Sequence, residues 1–225
     1  RKISRDLMVV GDSCETLKKP AVLSDIFFRI GGFPSPAPSK AVNCLKINAS
    51  HVIGDNLWIW RADHYDQVGW DKNTADTGLI VNGSHVYMYA LMVEHFLKYQ
   101  TLWKGEDGHV YMYQSELPYD VPRQEAWMSH HGTQKGYASL KVADHVKNFE
   151  SWCAGIYSYH RDAPVICSCG AQVPDHENVV LHHTFTRFLN GHTGISHVIN
   201  TSGEAVDATH RQACIIKYKN GVVYN

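Results

Sequence analysis

A short phrase recurs along this chain and limits its possible folds more than any other feature. It reads Ser50-His51-Val52, Ser84-His85-Val86, Gly108-His109-Val110, Asp144-His145-Val146, Glu177-Asn178-Val179 and Ser196-His197-Val198, at successive spacings of 34, 24, 36, 33 and 19 residues. Repetition at irregular intervals of about 20 to 40 residues marks a solenoid with loops of variable length, because one repeat cannot bury its apolar face alone. Strand-forming residues follow the first three phrases: Leu57-Trp58-Ile59-Trp60, then Val86-Tyr87-Met88-Tyr89-Ala90-Leu91-Met92-Val93, then Val110-Tyr111-Met112-Tyr113. Aromatic and β-branched residues fit a pleated strand, and Gly and Asn stand at the breaks. No long helical period competes; Ala143 to Phe149 fits the phrase as well as it fits two helical turns. The expected fold is all-β: a right-handed, single-stranded parallel β-helix over residues 1–225 as one domain. Gly31-Gly32 followed by Phe33-Pro34-Ser35-Pro36-Ala37-Pro38-Ser39 reads as an inserted Pro/Ser surface loop, residues 31–40. The recurring His51, His85, His109, His145 and His197 are expected to hydrogen-bond backbone groups at turns.

Composition narrows the class of partner. Hydrophobic residues make up 44% of the chain and charged residues 19%, which suits a packed core rather than a disordered segment. The net charge is −1 and no basic block stands out, so neither nucleic acid nor an anionic membrane is suggested. Apolar runs such as Ala90 to Val93 are too short to cross a bilayer. Arg1-Lys2-Ile3-Ser4-Arg5-Asp6 lacks the apolar middle of a signal peptide and reads as the interior of a larger chain or an end left by processing. The six cysteines, Cys14, Cys44, Cys153, Cys167, Cys169 and Cys214, are even in number and compatible with disulfides of undeducible connectivity. With sequons at Asn48, Asn82 and Asn200, they point to a secreted, disulfide-bonded glycoprotein.

Two acidic residues sit in aromatic, apolar surroundings. Glu94 lies in Leu91-Met92-Val93-Glu94-His95-Phe96, and Glu116 in Tyr113-Gln114-Ser115-Glu116-Leu117-Pro118-Tyr119, 22 residues on. That is about one short coil, so the two should be neighbours. Glu94 is nine residues past His85 and Glu116 seven past His109. If the phrases are in register, strands about 4.8 Å apart and a two-residue offset of about 6.6 Å separate the pair by roughly 8 Å. An inverting glycosidase holds its carboxyls about 6.5–9.5 Å apart, leaving room for a water. One carboxyl must carry a proton for the leaving oxygen while the other activates water. Desolvation by Tyr113, Leu117 and Tyr119 is expected to favour the proton on Glu116.

At these residues the chain resembles the family-55 glycoside hydrolases, β-1,3-glucanases built on paired β-helices. Leu57-Trp58-Ile59-Trp60-Arg61-Ala62-Asp63-His64 resembles the family's WxWxADH strand. Glu94-His95-Phe96-Leu97-Lys98-Tyr99-Gln100 resembles EHxxxYQ, and Gln114-Ser115-Glu116-Leu117-Pro118-Tyr119 resembles QxExPY. The resemblance covers roughly residues 57 to 120. It implies hydrolysis of a β-linked polysaccharide, β-1,3-glucan by family, with Glu116 as general acid and Glu94 attending the catalytic water. The chain is also similar to a group of secreted microbial β-helix proteins described as pectate-lyase-like. Here the matching stretches are Phe27-Phe28-Arg29-Ile30-Gly31-Gly32, Val68-Gly69-Trp70, Asn73-Thr74-Ala75-Asp76-Thr77-Gly78-Leu79 and Gly136-Tyr137-Ala138. Family-55 enzymes have two β-helices with the cleft between them, and this chain corresponds to the second. Either the chain is then the C-terminal half of a larger two-helix protein whose missing N-terminal portion is a partner, or a separate partner supplies that wall, or the fold is kept without the glucanase activity.

Expected substrate contacts are Asp63, His64, Trp70, Gln100, Trp103, Gln114 and Tyr119. Trp58, Trp60, Tyr99 and Trp127 are further rings able to stack on sugars, with Trp58 and Trp60 split between core and cleft. No cofactor and no metal is expected. His130-His131 and His182-His183 are sequence neighbours that point to opposite faces of a strand, and Cys167-Ser168-Cys169 is not a zinc spacing. No G-x-S-x-G elbow appears. Two other functions remain: a non-catalytic carbohydrate-binding or surface protein, and a polysaccharide lyase, which needs a basic proton acceptor and usually a Ca²⁺ site.

Overall fold

Parallel neighbours cannot be joined by a tight turn, so a chain of short parallel strands must travel around something to return. The computed structural model describes residues 4–13 and 16–224. Strands Ser4–Val10, Ala41–Ile47, Thr77–Val81, Thr101–Trp103, Leu140–Val142 and Ala171–Gln172 pair in that order, all parallel. Between them in sequence run the strands of a second, longer sheet. These are Thr16–Ser24, Ser50–Arg61, Tyr87–Glu94, Gly108–Glu116, Asn148–His160 and Asn178–Gly191, again parallel, with Phe27–Ile30 beside the far end of Ser50–Arg61. The chain visits the two sheets alternately, so each circuit is a coil laid on the one before. Leu45, Leu79 and Val81 from one sheet and Val52, Leu57, Met88, Leu91 and Val110 from the other fill the interior. At the last coil the antiparallel strands Gln212–Lys219 and Val222–Tyr224 cover the edge that a further parallel strand would occupy. The architecture is all-β with parallel sheets, as in a pectate-lyase-like β-helix.

The long sheet changes parity halfway along every coil. In Ser50–Arg61 the inward positions before the midpoint are Ser50, Val52 and Gly54, and after it Leu57, Ile59 and Arg61, with Trp60 covered on the outer face. The same switch from even to odd numbers separates Met88 from Leu91, and Val110 from Tyr113. Each switch falls on a residue with left-handed backbone: Asn56, Ala90, Met112, Cys153 and His183, with φ of 53, 52, 60, 57 and 51°. The registers on either side place these five in one column across the coils, and Asp25 (φ 54°) stands at the matching bend of the preceding coil. A residue in this conformation adds one position without advancing the pleat, so every side chain after it changes face. The strands thus have two limbs meeting at a corner. By simple alternation Glu94 and Glu116 would share the inward parity of Met88 and Val110; the corner turns both outward.

The recurring phrase marks coils but not a common register. His51 and His85 occupy equivalent left-handed positions (φ 61 and 53°), and their rings stack 4.8 Å apart. In the next coil that position belongs to Asp107 (φ 52°), because His51 N donates to Ser84 O and His85 N donates to Glu106 O. His109 therefore lies two residues farther on, opposite Tyr87. His145 Nε2 lies 2.9 Å from Lys104 O and His197 Nδ1 lies 3.2 Å from Gly203 O, as expected of turn residues.

One expectation needs correction. Among the described residues Cys44, Cys153, Cys167, Cys169 and Cys214 are free thiols rather than disulfides, and Cys14 lies outside the described residues. Cys44, Cys167 and Cys169 serve as small core groups, and burial pushes the Cys44 thiol up to about 12 and Cys169 to about 11. The sequon asparagines make side-chain hydrogen bonds between neighbouring coils. Asn48 Nδ2 donates to Gly11 O at 3.0 Å and Asn82 Nδ2 to Asn48 Oδ1 at 2.7 Å, a stack that binds successive turns. Asn200 Nδ2 donates to Val173 O and Tyr218 Oη, both at 2.9 Å.

Candidate active site

Beyond the corner, the outward residues form straight rows because parallel register stacks like positions. One row runs Arg29, Trp60, Glu94, Glu116, Tyr157 and Arg187, one residue per coil. The row two residues earlier runs Phe27, Trp58, Met92, Gln114, Gly155 and Phe185. Glu94 and Glu116 are thus direct register partners. This corrects the two-residue offset: His109 is not the equivalent of His85, so the roughly 8 Å separation loses its premise.

A groove of about 500 Å³ opens over the pair, lined by Arg29, Trp58, Trp60, Asp63, His64, Tyr65, Glu94, His95 and Glu116. Trp58 and Trp60 both face it and stack on each other at 5.3 Å. They are not split between core and cleft, since positions i and i+2 share a face.

The two carboxyls are held by different partners. Trp58 Nε1 donates to Glu94 Oε2 at 2.9 Å. Tyr119 Oη donates to Glu116 Oε2, and Gln114 Nε2 lies 3.4 Å from Glu116 Oε1. Burial pushes Glu94 up from 4.5 to about 7; the Trp58 hydrogen bond pulls the other way, and the charge of Glu116 adds to the rise. Of the three groups expected to desolvate Glu116, Tyr113 and Leu117 point into the core, and only Tyr119 reaches the carboxyl. Burial, reinforced by the bond to Glu116, carries the Tyr119 hydroxyl well above its ordinary range, so it stays a donor.

His95 joins the acids from below. Its Nε2 lies 3.8 Å from both Asp63 Oδ1 and Glu116 Oε2, and its Nδ1 3.3 Å from Leu117 O. Burial holds its basicity below the ordinary value, against the pull of Asp63 and Glu116. Asp63 Oδ1 also meets His64 Nδ1 at 2.8 Å, and His64 is 52% exposed at the groove mouth. Beneath them Arg61 is fully buried and uses every arm of its fork. It pairs with Asp120 at 2.7 and 3.1 Å and donates to the carbonyls of His95, Gly69 and Asn73 at 3.0, 2.9 and 3.1 Å. One guanidinium thus ties together the strand ends that carry Asp63, Glu94 and Glu116.

Asp63, His64, Gln114, Tyr119, Glu94 and Glu116 are therefore brought together, and three other expected contacts are not. Gln100 is buried, with its amide bonded to Phe96 and Lys98. Trp103 is a core residue whose Nε1 donates to Gly105 O. Trp70 packs against the core and does not line the groove. Among the further rings, Trp127 is buried against His160 and Tyr99 packs on Tyr137. Sequence reasoning missed Arg29, Tyr65, His95 and Arg61. His95 and Arg61 lie inside quoted motifs, which is a usable signal; Arg29 and Tyr65 carry none without the row. Among the described residues no group of three or more His, Cys, Asp or Glu is placed to hold a metal ion.

Stacked parallel coils with paired carboxyls in an aromatic-walled groove place the chain among the β-solenoids that carry a polar site on one outer face. Residues 5–116 match the model of the LAM55 pectate lyase-like domain, a stretch that ends on Glu116. The chain is 40% identical over 195 residues to an exo-β-1,3-glucanase of Streptomyces sp. strain SirexAA-E, covering 86% of this chain and 31% of that protein. The structure of sacteLam55A from the same organism aligns with a TM-score of 0.84 and 38% identity, over 88% of this chain and 36% of that one. A variant of sacteLam55A in complex with glucose aligns with a TM-score of 0.90 and 36% identity, over 96% of this chain and 39% of that one. The chain is thus similar to the glycoside hydrolase family 55-like β-1,3-glucanases, as its motifs imply. It spans about a third of the length of the relatives it matches.

Proposed function

We propose that this chain carries the catalytic carboxylates of a secreted glycoside hydrolase acting on β-1,3-glucan by inversion. The observation that carries the reading is the register pairing of Glu94 with Glu116, turned outward by the corner beneath Trp58 and Trp60. Glu116 delivers the proton to the leaving oxygen, and Glu94 holds or deprotonates the water. Their backbones are neighbours about 4.8 Å apart. Trp58 holds Glu94 and Tyr119 holds Glu116, so the two carboxyls have the different surroundings that an acid and a base require. The kinship with an exo-β-1,3-glucanase supports the substrate. The coils are taken as a right-handed, single-stranded parallel β-helix, the hand that parallel crossovers almost always adopt. A further β-helix portion of the same protein is proposed as the opposite wall of the cleft, since the relatives are about three times as long.

The test is hydrolysis of laminarin by the wild type and by Glu116→Gln and Glu94→Gln. A loss of about 10²–10⁴-fold in each, with binding retained, is expected. Nuclear magnetic resonance of the first product from the β-linked substrate should show the α anomer. Binding without hydrolysis by the wild type would favour a carbohydrate-binding protein, and products absorbing in the ultraviolet a lyase.

One observation favours a second reading with the roles exchanged. Glu94 is the group that burial and its neighbour push up to about 7, so in the free groove it holds a proton near neutral pH. An aryl β-glucoside with a good leaving group decides between them. The variant lacking the acid retains activity on it, and the variant lacking the base does not.

A further inference from the structure

The groove does not end at the carboxylates. Arg29 lies in the same row as Glu94, two strands away, or about 10 Å at ordinary strand spacing. Its guanidinium is fixed from several sides. Nε donates to Gly31 O at 3.1 Å and Nη2 to Gly32 O at 2.7 Å. The ring of Phe33 lies 3.9 Å from the guanidinium carbon, Trp60 4.8 Å and Tyr65 5.7 Å. Arg29 forms no ion pair among the described residues, and it lines the groove. Two of its donor arms are committed to carbonyls, and the remaining N–H groups have no acceptor there. Phe33 is 60% exposed and Tyr65 70% exposed, on the loops that follow two adjacent parallel strands. A contiguous aromatic patch beside a polar groove marks a binding surface.

We propose that Arg29, Phe33 and Tyr65 form a second sugar-binding subsite, which holds a further neutral glucose unit of the chain cleaved at Glu94 and Glu116. This rests on the glucanase reading above. The occupant is a sugar because the patch pairs apolar ring faces with hydrogen-bond donors, the two faces a pyranose presents. It belongs to the same chain because the patch is continuous with the carboxylate groove through Trp60. Arg29 is a sugar-binding residue: it is bonded to the loop that carries Phe33, and its free arms meet hydroxyl groups.

The experiment measures Kd and KM for β-1,3-linked gluco-oligosaccharides of two to six units, on the whole protein. Wild type, Tyr65→Ala, Phe33→Ala and Arg29→Lys are compared, with binding read in a Glu116→Gln background. Affinity is expected to rise with length in the wild type. Each ring removal should cost roughly two- to ten-fold for the longer sugars and little for the disaccharide, with melting temperature unchanged. Arg29→Lys should not restore the gain, because an ammonium cannot reproduce the planar fork. An unchanged length dependence in all three variants, with hydrolysis intact, overturns the proposal and leaves the glucanase reading standing. A fall in melting temperature without a change in length dependence also overturns it, by assigning the rings to a contact between parts of the protein. Absence of any binding or hydrolysis of these sugars by the wild type overturns both.

Discussion

The two limbs of the bent sheet obey one geometry and put it to opposite uses. Before the corner, Tyr89, Tyr111, Trp152 and His182 occupy one row, with successive rings 5.0, 4.7 and 5.1 Å apart and within 11° of parallel. Strand spacing matches the contact distance of aromatic rings, so this row holds the coils together. After the corner, the same spacing sets Glu94 against Glu116, two groups that repel when both are ionised. Burial of Glu94, and after it that repulsion, appears as its raised proton affinity. One limb satisfies the rules of cross-strand pairing, and the other breaks them where the proposed chemistry needs a retained proton. Four substitutions test that contrast.

The largest effect belongs to the second limb and to activity. Glu116→Gln should lower hydrolysis of laminarin by about 10²–10⁴-fold while leaving far-ultraviolet circular dichroism and melting temperature at or above the wild-type values. A destabilised Glu116→Gln would mean the pair is structural and the contrast false.

Next is the pH dependence of stability. Glu94 has a folded-state value of about 7 against 4.5 unfolded, so between these the folded state binds more protons than the unfolded one. Stability therefore falls as pH rises from about 4.5 to 7 and stays low above that. The contribution is at most about 3 kcal/mol. Denaturant unfolding of the wild type and Glu94→Gln at pH 5 and pH 8 should show the difference in the wild type shrinking in the variant.

In the first limb, Trp152→Ala removes the centre of the ring row. A loss of roughly 2 kcal/mol in unfolding free energy is expected, with kcat/KM on soluble glucan unchanged below the new melting temperature. A fall in kcat/KM with intact stability would show that the limbs are coupled.

The smallest effect lies at the corner itself. Ala90 holds a left-handed backbone (φ 52°), and glycine takes this conformation without a Cβ clash. Ala90→Gly should raise stability by about 0.5 kcal/mol, after the entropy of the unfolded glycine is deducted. A loss measured by calorimetry would mean that packing of the Ala90 methyl outweighs the strain.

Much of the molecule is legible from the residues alone. Aromatic and β-branched runs between Gly and Asn breaks identify the strands around Trp58, Tyr87 and Tyr111. Repetition identifies stacked coils. Three ordered motifs single out Asp63, Glu94 and Glu116, because groups that must meet in a solenoid recur about one coil apart. What the residues do not reveal is where each strand switches face. Ala90, Met112 and Cys153 have no intrinsic preference for left-handed backbone; Asp25, Asn56 and His183 in that column do. They adopt it because neighbouring coils already turn there and every backbone group must find its partner on the coil beside it. That collective constraint set the true register and brought Arg29 and Tyr65 to the groove. It also turned the two glutamates outward, which no local pattern around either one encodes.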